Sequence, residues 1–284
     1  MSHRSITIKR FLRSKFFIIG GALVLIICFL SVFSNFIVRY DPTIPDFSSR
    51  FVPPEWFSQG LSGHILGTDS MGRDMLARLL VGSQYSLIVA FVAVSSAALI
   101  GVILGMIAGF YGGWLDTLIM RFGDIQLSIP SLMLAITIVA IAGPNLVNLV
   151  IVLIFTSWVG YARLIRSVVQ VVRKQEFVSA SKVLGASNRW IMFRQVFPNV
   201  LTPLIVQTSQ SFGTMILVEA ALSFLGLGVQ PPTPSWGVMI SNGRESLQAA
   251  PWTVLVPGIM LMITVLAFNF MGDGIRDALD PKMK

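Results

Sequence analysis

LLVGSQYSLIVAFVAVSSAALIGVILGMIAGFYGGWL, residues 79–115, runs without one charged side chain. Lipid offers the backbone no hydrogen-bond partners, so a spanning segment is a helix or a strand of a closed barrel. This run is far longer than the roughly 10-residue alternating strands of a barrel, and it exceeds the roughly 20 residues a helix needs to cross hydrocarbon. It therefore reads as a spanning helix, placed at about Tyr85 to Phe110. The whole chain is 54% hydrophobic and only 12% charged, with a mean hydropathy of +0.78, where a soluble domain carries roughly 25% charged residues. The fold class is all-α, a polytopic membrane protein.

Working outward, Phe16 to Val38 is a second charge-free run, bounded by Lys15 and Arg39. Ile125 to Ala162 is long enough for two crossings broken at Gly143-Pro144-Asn145, where turn residues concentrate. Further spans are expected from about Val200 to Phe224 and from about Thr253 to Met271. Six transmembrane helices are expected. With the N-terminus inside, the outer segments hold only Arg39, Arg50, Arg73, Arg78 and Arg244 of the 21 basic residues, which places both termini in the cytoplasm. The net charge of +8 then lies at helix ends beside anionic headgroups of the membrane lipid, and nucleic acid is not an expected partner. The first span is too long for a signal-peptide core and has no small-x-small site after it, so it is expected to stay in the mature chain.

Catalytic patterns are missing. There is no G-x-x-x-x-G-K-[ST], H-E-x-x-H or G-x-S-x-G. His3 and His64 stand alone at ligand spacing, and Cys28, the only cysteine, lies in the first span, which excludes a disulfide within the chain and a Cys-based metal cluster. Asp273 falls at the end of the sixth span without a matching mid-span Asp. No enzyme activity, metal or cofactor of its own is expected.

The polar stretch Gln175 to Asn199 is more elaborate than a membrane loop needs. Phe177, Val178, Ser181 and Leu184 share one side at helical spacing, and Gly185 is suited to the left-handed turn that ends a helix. Ser187 can cap a second short helix with Trp190, Ile191 and Phe197 on its apolar face, which Pro198 is expected to terminate. Two short amphipathic helices on the cytoplasmic side form a surface for another protein.

Outside the membrane, residues 39–84 begin as a Pro-punctuated coil and change character at Gly67-Thr-Asp-Ser-Met-Gly72-Arg-Asp74. Thr68 or Asp69 can cap a helix there, with Met71, Met75, Leu76 and Leu79 on its apolar side. It is expected to seal the outer mouth or to touch substrate. Leu225 to Gly237 is too rich in Gly and Pro to continue a helix, and Trp236 and Trp252 fit an interfacial aromatic belt. Glu219 lies deep in the fifth span with Ser223 one turn on, and two readings stand: a path or gate group, or a hydrogen-bonded structural Glu. Asp124 is expected to pair with Arg121 three residues before it.

Four segments in this order resemble the second inner-membrane permease of peptide and nickel class binding-protein-dependent ABC importers: Leu66-Gly-Thr-Asp-x-x-Gly-Arg-Asp74, Gly185-Ala-Ser to Phe197-Pro-Asn199, Leu222-Ser-Phe-Leu-Gly-Leu-Gly228 with Pro234-Ser-Trp-Gly237, and Gly272 to Pro281. The resemblance covers nearly the whole chain. It implies the type I importer permease fold, with a cytoplasmic tail at 1–15, a permease domain at 16–284 and a coupling loop at 167–199. The family's coupling loop reads E-A-A-x-x-x-G. Aligned on Gly185 it sets Ser179, Ala180 and Ser181 against E-A-A, so the Glu is missing, and Glu176 one helical turn earlier is the candidate substitute. Ala186 and Pro198 belong to the same ATPase-coupling set. Thr68, Asp69, Gly72, Arg73 and Asp74 form the outer motif, and Glu219 and Ser223 the path or gate.

The resemblance also implies partners: a homologous permease subunit making a heterodimer, two cytoplasmic ATPase subunits that bind ATP and Mg, and an extracytoplasmic substrate-binding protein, all at a bacterial inner membrane. Peptides are the expected substrate, with nickel chelates or other small solutes as the alternative. An ion-coupled secondary transporter is the rival class, but it would usually show inverted repeats and several ionisable groups at mid-membrane. No repeat is visible, and Glu219 is the one mid-span acid.

Overall fold

The computed structural model describes residues 14–57 and 63–279, so the tail expected at 1–15 and the last five residues lie almost wholly or wholly outside it. The described residues are overwhelmingly helical, joined by turns and one isolated bridge between Thr68 and Asp74. In chain order, α1 is Lys15–Val32, α2 Ser34–Ile37, α3 Met75–Tyr111, α4 Gly113–Leu127, α5 Ser131–Ala142 and α6 Leu146–Val172. After these come α7 Glu176–Val183, α8 Asn188–Ile191, a π-helical stretch Met192–Val196, α9 Phe197–Phe224, α10 Trp236–Gly243 and α11 Trp252–Leu279.

Four described helices, α1, α3, α6 and α11, are long and apolar enough to cross a membrane, and α4 with α5 makes a fifth if that bent pair is one span. The expected third span, starting near Ile125, departs from expectation. It is broken at Ser128–Pro130, with α4 and α5 at 85°. Pro130 lacks the N–H that would continue α4, and it pushes Ile129 out of the helical region. The 12 residues of α5 are only about 18 Å long, short of the roughly 30 Å of hydrocarbon. The expected break at Gly143 is present, with φ of 90°, and Asn145 caps α6 by accepting from the Asn148 N–H at 2.8 Å. α9 has the length of a span at 28 residues, but Gln207, Ser209, Gln210, Ser211 and Glu219 make it the most polar of the long helices.

α3 and α6 form the frame. Gly101, Gly105 and Gly109 lie one turn apart on α3, and α6 backbone fills the space where side chains would be. A Cβ on Gly101 would sit 2.8 Å from the Trp158 carbonyl, one on Gly105 2.6 Å from that of Ala162, and one on Gly109 2.9 Å from that of Arg166. Between helices in lipid there is little hydrophobic drive, so association rests on close packing, which small residues permit. The main core gathers Val89, Ala93, Leu149, Leu153, Ile216, Trp236 and Ala267 from α3, α6, α9, α10 and α11.

On the side of the bundle that holds α7, α4 is tied to α6. Arg166 grips both carboxylate oxygens of Asp116, and Arg163 donates to Asp124 at 2.5 Å. Asp124 therefore pairs with Arg163, 39 residues on, and not with Arg121. Gln126 completes the seam, donating to the Phe155 carbonyl at 2.8 Å and accepting from the Trp158 indole at 3.0 Å.

Candidate functional site

The loop between α6 and α9 is built from two short helices at one end of the bundle. α7 starts at Glu176, whose charge suits the positive end of the helix, and ends in a Schellman turn. Gly185 takes φ of 84°, its N–H reaches the Lys182 carbonyl, and the Ala186 N–H reaches that of Ser181, both at 3.0 Å. Ser187 then caps α8, accepting from the Trp190 N–H at 3.3 Å. The turn at Gly185 and the cap at Ser187 are as the sequence predicts.

Two expectations about this loop change. Val178 and Ile191 do not lie on the faces offered outward. Both are fully buried with Val196 against Met106, Phe110, Ile165 and Val169, so they anchor the loop to α3 and α6. The outward surface is instead Phe177, Val183, Leu184, Trp190 and Phe193, with Val183 and Leu184 88% and 86% exposed. Second, Pro198 does not end α8. It is the second residue of α9, because the π-helical turn at Met192–Val196 absorbs the missing N–H and carries the chain from α8 into α9 without a break. Glu176, Ser179 and Ala180 are exposed on α7, whereas Ser181 is partly covered and accepts from the Gln195 amide at 2.5 Å. Arg173, at the end of α6, holds the last turn of α3 through the Phe110 carbonyl.

At the opposite end of α9, Glu219 is fully buried. One carboxylate oxygen accepts from Ser223 at 2.7 Å; the other faces Ser86 of α3 in a geometry that completes no hydrogen bond. α10 closes over this point. Gly237 packs so tightly that a Cβ there would be 2.7 Å from that of Ser223, and the Trp236 indole donates to the Leu79 carbonyl at 3.1 Å. Trp236 and Trp252 are thus clamps inside the protein and not an interfacial belt: both are buried, and Trp252 donates to the Thr68 carbonyl at 3.0 Å.

The outer motif is a buried knot. Thr68 accepts from the Val52 N–H at 2.8 Å and donates to the Ser49 carbonyl at 2.5 Å. Asp69 accepts from the Arg73 guanidinium at 2.8 Å and lies 3.4 Å from that of Arg78, which also donates to the Pro42 carbonyl at 2.9 Å. Neither Thr68 nor Asp69 caps a helix. Asp74 is the cap of α3, accepting from the Ala77 N–H at 2.8 Å, and its other oxygen meets His64 at 2.9 Å. Gly72, with φ of 75°, lies directly on the Asp46 backbone. Asp46 is itself held ionised below the usual carboxylate range by hydrogen bonds from Ser48 and Ser49. Among the described residues between Arg39 and Asp74 there is no separate α-helix, only a 3-10 turn at Phe47–Ser49, and the segment leads straight into α3. Thr68, Asp69, Arg73 and Asp74 are all buried, so the knot is held together by contacts inside the protein.

The fold, with at least four helices long and apolar enough to span, is that of an integral membrane protein. The chain belongs to the family described as binding-protein-dependent transport system inner membrane component, which matches residues 101–284, and residues 4–54 match the N-terminal TM domain of oligopeptide transport permease C. Over 274 residues it is 47% identical to the dipeptide transport system permease protein DppC of Escherichia coli (strain K12), covering 96% of this chain and 91% of that one. It is 45% identical over 267 residues to the di/tripeptide transport system permease protein DppC of Pseudomonas aeruginosa (strain UCBPP-PA14), covering 94% and 88%. Among solved structures, an inward-facing MetNI methionine ABC transporter shares the fold at a TM-score of 0.56 and 19% identity, over 72% of this chain and 98% of that one.

Proposed function

We propose that this chain is one permease subunit of an ATP-driven peptide importer of a bacterial inner membrane, supplying half of a translocation path that it completes with a homologous permease. Two cytoplasmic ATPases, carrying the ATP and Mg, would dock on the coupling loops, and an extracytoplasmic binding protein would deliver the peptide. Peptide as cargo is drawn from the names of the two DppC relatives. Both termini are cytoplasmic in this reading, and α9 together with the bent α4–α5 pair brings the number of crossings to six.

The observation that carries the reading is the construction of the loop. Its base is locked into α3 and α6 by Val178, Ile191 and Val196, while an apolar surface of Phe177, Val183, Leu184 and Trp190 is left facing outward. Exposed apolar patches of this kind mark protein contacts. The π-helical turn then runs directly into α9, so a push on α7 and α8 is delivered to the helix that carries Glu219 at its far end. ATP-driven closure of the ATPases would tilt α9 and switch access between the two sides of the membrane, a rigid-body transition of a two-state assembly. Glu176 stands in for the family's missing loop Glu at the partner surface.

The test is reconstitution with the cognate partners. The ATPases should co-purify with the chain and dipeptide should accumulate in vesicles only with ATP. Uptake driven by an ion gradient without ATPases would overturn the proposal.

A further inference from the structure

Between α5, α6 and α9 lies a cleft of about 250 Å³ lined by Thr156, Ser157, Tyr161, Gln207, Ser211 and Thr214 with a few apolar neighbours. We infer that this cleft is where the chain contacts the cargo in transit, and that what it binds there is the amide unit of the peptide backbone. The inference rests on the importer reading above and deepens it.

Position is the first argument. Thr156 and Ser157 lie near the middle of α6, and Gln207 and Ser211 near the middle of α9, so this polar group is at mid-height of the bundle and not at either end. Thr156 and Ser211 donate to the Val152 and Gln207 carbonyls of their own helices, but the Gln207 carboxamide has no such backbone partner, and facing lipid it would forgo its hydrogen bonds at a cost large enough to turn it toward protein or a wet cavity. Two other clefts have the opposite character. One of about 570 Å³ is lined by Leu99, Val102, Ile103 and Phe193, and another of about 540 Å³ by Leu87, Ile88, Phe91 and Phe268.

Unspent bonding capacity is the second. The Gln207 amide reaches only Ser211, at 3.5 Å. The Tyr161 hydroxyl is buried near Ser211 and Thr208 but completes no hydrogen bond. A carboxamide has the same donor and acceptor pair as a peptide bond, so Gln207 can engage a backbone amide at two points. Among the described residues no charged side chain lines the cleft. A neutral surface that reads the backbone and ignores side-chain charge suits a conduit for many different short peptides.

The experiment uses the assembled complex in vesicles, in a Cys28→Ser background, with dialanine as the probe. Cysteines at Ser157 and Ser211 should react with a small hydrophilic cationic thiol reagent, a cysteine at Leu99 should not, and dialanine turnover should slow the reaction at the first two. Gln207→Leu should lower dialanine uptake about fivefold, the worth of one neutral hydrogen bond, with the ATPases still bound, and Gln207→Asn should lie between. Unreactive cysteines at Ser157 and Ser211 in a complex that still imports dialanine would overturn the inference, assigning the cleft to lipid or to the neighbouring permease, and so would parental uptake by Gln207→Leu. In both cases the importer reading would stand. A parental complex that hydrolyses ATP and imports no dipeptide would remove that reading itself, and this inference with it.

Discussion

The Gln195 amide donates to the Ser181 hydroxyl at 2.5 Å, joining the π-helical turn to α7 across the Gly185 bend. The bond fixes the angle between the two limbs of the loop, because Ser181 also donates to the Phe177 carbonyl within α7 at 3.0 Å. Gln195→Leu should leave the protein inserted and folded but loosen α7 against α9, lowering the yield of uptake per ATP. Comparing hydrolysis with uptake in vesicles checks this; an unchanged ratio would separate the bond from coupling.

Gly185→Val should be harsher. Nothing lies within 4 Å of a Cβ at this position, so there is room for a side chain, and the penalty is the backbone's alone at φ of 84°. That penalty is about 1–2 kcal/mol for an L-residue and more for a β-branched one. We expect weakened ATPase binding or uncoupled hydrolysis with normal insertion. Gly185→Asn should be milder, since Asn tolerates the left-handed region.

Glu219→Gln keeps an acceptor for Ser223 and should assemble with the ATPases while transport falls. Glu219→Ala removes the partner of a buried hydroxyl and empties space under α10, so it should also destabilise the complex, by about 1–3 kcal/mol. Thermal unfolding in detergent alongside uptake separates the two variants. Equal stability and equal uptake for both would make Glu219 a bystander.

Asp69→Ala strands Arg73 and Arg78, both buried, without their shared carboxylate. Breaking a buried ion pair from one side costs about 3–5 kcal/mol. The outer knot should loosen, seen as faster proteolysis of residues 39–74, while the cytoplasmic loop still binds ATPase.

Orientation is tested by single cysteines at Ile44 and Val183, both exposed, in a Cys28→Ser background. An impermeant thiol reagent should reach the first only from outside the cell and the second only from the cytoplasmic side. Reaction of both from outside would reverse the assignment.

Much of the architecture was legible in the sequence because charge-free runs and local turn chemistry report on themselves. The bend at Gly185, the cap at Ser187 and the break at Gly143 each depend on a few adjacent residues. What was missed depends on distant ones. Asp124 chose Arg163 over Arg121 because α4 folds back on α6, and Val178 and Ile191 turned inward because α3 and α6 offer them Phe110 and Val169. The helix break at Pro130 had a visible signal, as did the stripe of Gly101, Gly105 and Gly109, whose four-residue spacing announces a close helix partner without naming it. The π-helical turn that lets Pro198 begin α9 had none, since a residue able to end one helix is equally able to start the next.

The unbroken run of α9 has a mechanical corollary. Its 28 residues make a rod of about 42 Å, with the α7–α8 loop at one tip and Glu219 close to the other. Pivoted near its loop end, at Pro203 where an N–H is missing, such a rod moves its far tip by roughly half an ångström for every degree of tilt. A swing of about 10°, imposed by roughly 1.5 Å of travel at the loop end of the helix, is thus enough to carry the far tip by roughly the width of a peptide backbone, about 5 Å, the spacing of neighbouring strands. The gearing is set by the length of the helix, and shortening α9 by one turn would change it without touching either end.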